Sequence, residues 1–448
     1  MTRTRFDHRK AQRFGIALSA GLALALLSGC KLAQVFSLSG PQSTMVSAGP
    51  VAKAQWDLFM VTVYVTTFIF IVVGSVLAYA QIKFRAKSEA DEHAEPPPQG
   101  HGNPFVEIGL IAASVALLVI IAIPTLRDIW YTHDVPESEL KNGPAIDVTA
   151  WGYQWWFKFE YNAESVKKPD GTDGENLVTG NELVVPAGFP VRVQLRTVDV
   201  IHSFWVPKLA GKVDMMPNRP NFLWFKADKP GYYYGQCAEY CGESHAIMRF
   251  RVIALSASEY AKWLENQKQP ARSVTPALLA AEADVPHFKL AGLKMSAGDA
   301  LAGSPEFDAN PFAAWKEMQQ PEAGEESALV AKGHQLFADK TCMNCHTIRG
   351  HSGMVKGQPS PYQGIVGPDL SHVGARSTIA AGVLENTHER MHSWIKQPDH
   401  FKPGNKMYNG FGGMTGYVKT DELGNTVPNI VLNDQEIDAL VAYLHSLK

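Results

Sequence analysis

Two uninterrupted apolar stretches, residues 58–80 and 108–126, set the first limit on what this chain can fold into. Each is long enough to cross a bilayer. In hydrocarbon every backbone N–H and C=O must find its partner within the protein, so each stretch is predicted to be a helix. Lys83, Arg85 and Lys87 follow directly on the first stretch, and acidic residues and Pro96-Pro97-Pro98 come next. Positive charge in a short connecting loop puts that loop on the cytoplasmic side. Both outer ends of the hairpin, and everything after residue 126, are then expected on the opposite face.

A third apolar run begins at Phe14, behind Arg3, Arg5, Arg9, Lys10 and Arg13, and ends Leu27-Ser28-Gly29-Cys30. A basic start, a run too short for a span and small residues before a cleavage point describe a secretory signal. The ending resembles the lipobox of bacterial lipoproteins, which implies lipidation at Cys30; the alternative is an uncleaved anchor helix with an incidental cysteine. A processed N-terminus at Cys30 lies on the same outer face that the charge pattern demands.

Beyond the hairpin the pattern changes. Segments 146–150, 183–185, 191–195 and 222–226 are short, apolar or alternating, and are punctuated by Pro186-Ala187-Gly188 and Lys229-Pro230-Gly231. Such spacing from about 145 to 255 predicts a β-sandwich or barrel. A helix at 258–267 is expected to close it, with Ser258 as cap and Glu259 in its first turn. Residues 256–325 are rich in Ala, Pro, Glu and Gln and read as a linker with some local order. From 327 helical periodicity returns. The chain ends in a predicted helix behind Asn433, in which Ile437, Leu440, Val441 and Leu444 recur at helical spacing. At 448 residues the chain is long enough for two or three domains. A formal net charge of −3 leaves no basic footprint, so nucleic acid is not an expected partner.

The chemistry concentrates on the cysteines. Cys237, Cys241, His245 and Met248 fall within twelve residues. Thiolates with imidazole and thioether favour copper, and His202, at the end of a predicted strand, can supply a second imidazole. Two cysteines at this spacing allow both sulfurs to bridge a pair of coppers, which spreads one electron over two metals. A disulfide or a zinc site are the competing readings. Cys342-Met343-Asn344-Cys345-His346 is the attachment motif of a c-type haem, with His346 as one axial ligand. A zinc ribbon would need a second C-x2-C pair, which is missing. The other axial ligand comes from downstream, with Met354, Met391, Met407 and Met414 as candidates ahead of His372 or His388, since methionine raises the potential. Aromatic residues 151–157 read by themselves as strand core or membrane-proximal belt, and Glu107 as an acid snorkelling at a helix end.

The pattern C-x-E-x-C-G-x-x-H-x-x-M over 237–248, with His202-Ser203 upstream and the helical hairpin before it, resembles cytochrome c oxidase subunit II from about residue 55 to 255. The resemblance implies a cupredoxin-like barrel and a dinuclear copper centre (CuA) held by His202, Cys237, Cys241, His245, Met248 and the backbone carbonyl of Glu239. It further implies that the Glu239 side chain reaches a magnesium ion at the contact with subunit I. Trp155 aligns with the residue at which an external cytochrome c delivers its electron. Glu107 stands where a proton-channel entrance is found, although Leu110 and Ser114 replace the usual Trp and Pro. Gly367-Pro368-Asp369-Leu370 and Lys402-Pro403-Gly404-Asn405-Lys406-Met407 resemble class-I cytochromes c and imply Met407 as the haem ligand. Tyr408 in place of the usual Pro keeps Met414 open.

The expected architecture is a multidomain membrane protein: signal 1–29, transmembrane hairpin 30–130 with helices near 56–80 and 105–126, copper domain 131–256, linker 257–325, and a small all-α cytochrome c domain 326–448. A flexible linker of this length would let the cytochrome reach the copper face as a tethered donor. By resemblance the chain is the electron-input subunit of a proton-pumping haem–copper oxidase. Electrons pass from one covalent haem c to CuA, then to subunit I, where oxygen is reduced. Expected partners are subunits I and III, membrane lipid, and an upstream donor, either a cytochrome c or a quinol–cytochrome c reductase. The expected location is the bacterial cytoplasmic membrane, with both cofactor domains on its outer face. A CuA-bearing nitric oxide reductase, or a membrane-tethered carrier without a catalytic subunit, are the alternatives. A nitrous-oxide reductase would need a further large His-rich domain.

Overall fold

The computed structural model describes residues 40–88, 91, 95, 100, 102–167, 173–269, 309–319, 328–349, 354–355, 358–359, 367–407, 414–420 and 426–448. The signal segment and Cys30 lie outside the described residues.

Both apolar stretches are helices, α1 Pro50–Lys83 and α2 Pro104–His133, each long and apolar enough to cross a membrane. They touch each other and otherwise expose apolar side chains such as Phe70 and Leu118, as suits a lipid surrounding. Each outer end runs beyond the predicted span because the protein holds it. Val51 and Ala52 in the first turn of α1 are buried, and the Ala52 N–H donates to Leu209 O at 3.2 Å. At the other end the Trp224 indole donates to Tyr131 O of α2 at 3.1 Å. The outer ends of both helices thus share one face with the β domain, as the charge pattern requires.

That domain is a cupredoxin-like sandwich. One sheet runs β3 (Asp173–Gly180), β2 (Trp156–Lys167), β1 (Ile146–Tyr153), β5 (Pro190–Thr197), β8 (Asn221–Lys226). The other runs β4 (Glu182–Pro186), β10 (Arg249–Leu255), β9 (Gly231–Cys237), β6 (His202–Trp205), β7 (Val213–Met215). All four predicted strand segments lie within β1, β4, β5 and β8. Strand β5 shows why: Val191, Val193 and Leu195 are fully buried while Arg192, Gln194 and Arg196 alternate outward. Each buried aliphatic contributes about 1.5–3 kcal/mol. Phe157, Phe159, Phe204 and Phe250 fill the space between the sheets.

Helix α3 (Ala257–Lys268) closes the sandwich, burying Tyr260, Trp263 and Leu264. Its cap is Ser256, not Ser258. Ser256 Oγ and Glu259 satisfy each other's backbone N–H in a capping box, which Ser258 is too far along the helix to form. Within the expected linker, α4 (Pro311–Met318) is also ordered and buries Trp315.

The last domain packs α5 (Ala328–Asp339) against α7 (Asp434–Ser446), with α6 (His388–Lys396) on another side of α7. Helix α7 starts behind Asn433 in a second capping box and buries Ile437, Leu440, Val441 and Leu444. This domain does not hang free on a tether: it is docked on the copper domain. Arg249 N donates to Ala381 O at 3.0 Å, Arg251 Nη2 to Gly382 O at 3.0 Å, and Tyr232 and Ser377 hydroxyls lie 2.8 Å apart. A docked interface replaces the effective concentration that a loose linker would have supplied.

Candidate copper and haem sites

Strands β10, β9 and β6 are neighbours in one sheet and run alternately, so the start of β6, the end of β9 and the residue before β10 meet at one edge. His202, Cys237 and Met248 occupy those three positions. The loop from Cys237 to Met248 folds back over them and is closed by Cys237 N donating to Met248 O at 2.9 Å. The donor atoms therefore converge. Cys237 Sγ lies 3.8 Å from Cys241 Sγ, 3.8 Å from His202 Nδ1 and 3.3 Å from Glu239 O. Cys241 Sγ lies 3.5 Å from His245 Nδ1 and 3.8 Å from Met248 Sδ.

A disulfide needs sulfurs about 2.05 Å apart, and both cysteines are free. The Cys237 thiol is pushed down, first by the neighbouring Cys241 thiol and then by His202, against the opposing effect of burial. The same contact pushes Cys241 up. Two soft sulfurs, a thioether and two imidazole nitrogens fit copper.

Residues that carried no motif complete the surroundings. Asp199 Oδ1 lies 2.8 Å from His202 Nε2, which fixes the ring and leaves Nδ1 to face the sulfurs. A carboxylate three residues before a candidate histidine was the signal available. Gln154 Nε2 and Trp155 Nε1 both donate to Cys241 O, at 2.8 and 3.0 Å. Trp155 is buried in the turn between β1 and β2. Glu239 turns its carboxylate outward, 3.6 Å from Lys212 Nζ. Glu107 sits exposed in the first turn of α2, at the end remote from the copper domain.

On the other side of Trp155 is an apolar cavity of about 210 Å³, room for far more than a water. Cys342, Cys345, His346, Met391 and Met407 line it, and so do Trp155 and Trp156. His346 Nδ1 lies 2.9 Å from Pro368 O. The ring N–H is spent on that carbonyl, burial holds the imidazole neutral, and Nε2 is left as a ligand. Gly367 allows this approach: a Cβ there would stand 2.5 Å from the ring. These residues fit a covalently bound haem. Of the methionine candidates, Met391 and Met407 reach the cavity, while the side chains of Met354 and Met414 lie outside the described residues. His372 and His388 are not among the cavity's lining residues.

Glu182, which no motif marks, is buried where the two domains and α4 meet. Its carboxylate accepts from Ser377 N at 2.8 Å, Ser377 Oγ at 2.5 Å and Trp315 Nε1 at 2.9 Å. Burial raises its pKa, partly offset by those donors and by Arg376. The folded state thus holds a proton that the unfolded chain has released, over the window between the ordinary carboxylate value and the raised one. Stability falls as pH rises through that window and the loss is complete above it. Thermal unfolding followed against pH should show this slope, and Glu182→Gln should flatten it.

A two-helix anchor, a cupredoxin-like domain with a converging sulfur–imidazole cluster, and a docked c-type cytochrome domain define a membrane-anchored electron-transfer protein. Residues 146–255 match the family described as "Cytochrome C oxidase subunit II, periplasmic domain", and residues 330–448 match "Cytochrome c". The chain is 30% identical over 402 residues, 89% of each chain, to cytochrome c oxidase subunit 2 of Alkalihalophilus pseudofirmus. It is 29% identical over 442 residues, 97% of each chain, to the subunit 2 of Bacillus subtilis. The chain belongs to the cytochrome c oxidase subunit II family, in a form that carries its own cytochrome c domain. Among solved structures, the periplasmic domain of the Bradyrhizobium japonicum cytochrome oxidase subunit II is 36% identical at a TM-score of 0.23, covering 28% of this chain and 93% of that one.

Proposed function

We propose that this chain is the electron-input subunit of a proton-pumping haem–copper oxidase of the bacterial cytoplasmic membrane. It takes electrons at a haem c and delivers them through CuA to subunit I for the reduction of oxygen. The observation that carries the reading is Trp155. It lines the haem-type cavity on one side and donates a hydrogen bond to the backbone of Cys241 on the other.

When bound, the haem and the copper pair supply reversible one-electron chemistry. The residues do the rest. His202, Cys237, Glu239 (through its carbonyl), Cys241, His245 and Met248 hold the copper pair; Cys342, Cys345, His346 and Met407 hold the haem. Asp199 and the Pro368 carbonyl orient the two histidines whose second ring nitrogen must face the metal. Burial of His202, Cys237, Cys241 and Met248 keeps water from most of the donors, so little solvent has to reorganise when charge changes there. Trp155 and Gln154 tie the β1–β2 turn to the copper loop and keep the distance between the sites constant.

Glu239, with its outward carboxylate, is the residue we assign to magnesium at the contact with subunit I, and Glu107 to the cytoplasmic mouth of a proton path. Cys30 is assigned to lipidation after cleavage of residues 1–29. The domain boundaries follow the same reading, with the cytochrome from about 326, and the upstream donor is a cytochrome c or its reductase.

The purified oxidase should contain two coppers in this subunit and one covalent haem c. Its electron paramagnetic resonance signal should show hyperfine coupling shared by two copper nuclei, and coupling confined to one nucleus would overturn the assignment. Oxygen consumption with reduced cytochrome c, compared with nitric oxide consumption, tests the terminal acceptor.

A further inference from the structure

The segment Lys402–Met407 of the cytochrome domain does more than present a methionine. Its other end is pressed into the copper loop. Ser244, the residue before His245, donates its hydroxyl to Pro403 O at 2.6 Å. Lys402 Nζ reaches Ile247 O, the residue before Met248, at 3.3 Å. Lys406 Nζ lies 3.9 Å from Asp199 Oδ2, on the carboxylate that orients His202. Between these contacts is Gly404, with φ of 71° and its N–H donated to Asp399 Oδ1 at 2.9 Å. A Cβ at Gly404 would stand 2.5 Å from Glu243 Oε2 and 3.2 Å from the Trp155 indole. The backbone is therefore flush against the tryptophan that lies between the two sites. Asn405 ties the segment to itself, accepting from Met407 N at 3.1 Å and donating to Lys402 O at 2.7 Å.

We propose that this segment is the docking element that sets the gap between haem and copper, with Gly404 as the close-approach residue and Ser244–Pro403 as its pin. The inference rests on the haem and copper assignments above. The step it serves moves one electron, the haem being oxidised and the copper pair reduced, with no bond or proton change. Gly404 is not among the residues lining the cavity and Ser244 offers no donor to the sulfur–imidazole cluster, so both are positioning residues. Their effect is on distance: a side chain at 404 lifts the segment off Trp155, and the rate of electron transfer falls exponentially as the gap widens.

The test uses the full chain in its oxidase. Gly404→Asn keeps a residue that tolerates the left-handed region while adding a Cβ and an amide. It should slow flash-initiated electron transfer from haem to copper severalfold. The iron–methionine absorbance band and the two-copper resonance signal should stay as in the wild type. Amide hydrogen exchange at residues 241–248, measurable without either cofactor, should speed up. Adding Glu243→Ala, which removes the nearer obstacle, should recover part of both effects. Ser244→Ala should move rate and exchange in the same direction by less.

If Gly404→Asn transfers and exchanges like the wild type, the proposal is overturned. If it loses the methionine band, Ser244→Ala decides, and wild-type rate and exchange in that variant would equally overturn it. A wild-type protein that itself lacks the methionine band or the two-copper signal would instead overturn the cofactor assignments.

Discussion

Replacing Cys241 by serine should convert the copper centre from a shared pair to at most a single ion. The Cys241 sulfur is the hub of the cluster, within 3.8 Å of Cys237 Sγ, His245 Nδ1 and Met248 Sδ. Serine is a hard, protonated donor in its place, and soft copper discriminates against it. The fold should survive, because the exchange is nearly isosteric and the Cys241 carbonyl still accepts from Trp155 and Gln154. The expected result is a drop from two coppers to one or none, hyperfine coupling confined to one nucleus, and loss of oxygen consumption with the haem spectrum unchanged. A variant that kept the two-nucleus signal would show that Cys241 does not bridge.

The second large effect is expected at Met407. Removing its side chain by Met407→Ala should leave the haem attached through Cys342 and Cys345, with His346 still anchored on Pro368 O at 2.9 Å. The opposite axial position would then be open to small ligands. Ferrous haem should bind carbon monoxide readily, and the potential should fall by something on the order of 0.2 V within the roughly 0.8 V span that axial ligands command. Lower potential favours the oxidised haem less as a donor-side acceptor, so turnover with the natural donor should fall as well. An unchanged haem spectrum would transfer the assignment to Met391, which also lines the cavity, or to Met414.

The copper ligands and the haem attachment were legible because their residues lie in compact motifs, whereas Met407 was implied only by resemblance. Cys237 to Met248 occupies one loop and Cys342 to His346 one turn, so chemistry and spacing are readable without knowing what surrounds them. The helices were readable for a different reason: lipid leaves the backbone no alternative. Strand β5 announced itself by strict alternation, and α7 by its cap and its apolar spacing. The cap of α3 was misplaced by two residues because Ser256 and Ser258 are equivalent as letters. Only Ser256 stands three residues before the glutamate that completes the box.

Asp199, Ser244 and Glu182 were not legible in this way. No motif marks Glu182, at the start of a strand. It becomes a buried junction only when the cytochrome domain brings Ser377, and α4 brings Trp315, from far along the chain. The pressing of Gly404 onto Trp155 is likewise a relation between segments some 250 residues apart, and no local pattern encodes it.

The sequence by itself determined the ligand types, the two membrane-length helices and the presence of two cofactor domains, because each depends on residues close together in the chain. Tertiary structure alone decided how those domains meet. Their interface is built from shape, buried hydrogen bonds and close backbone approach between distant segments, and it turns an expected tether into a docked pair.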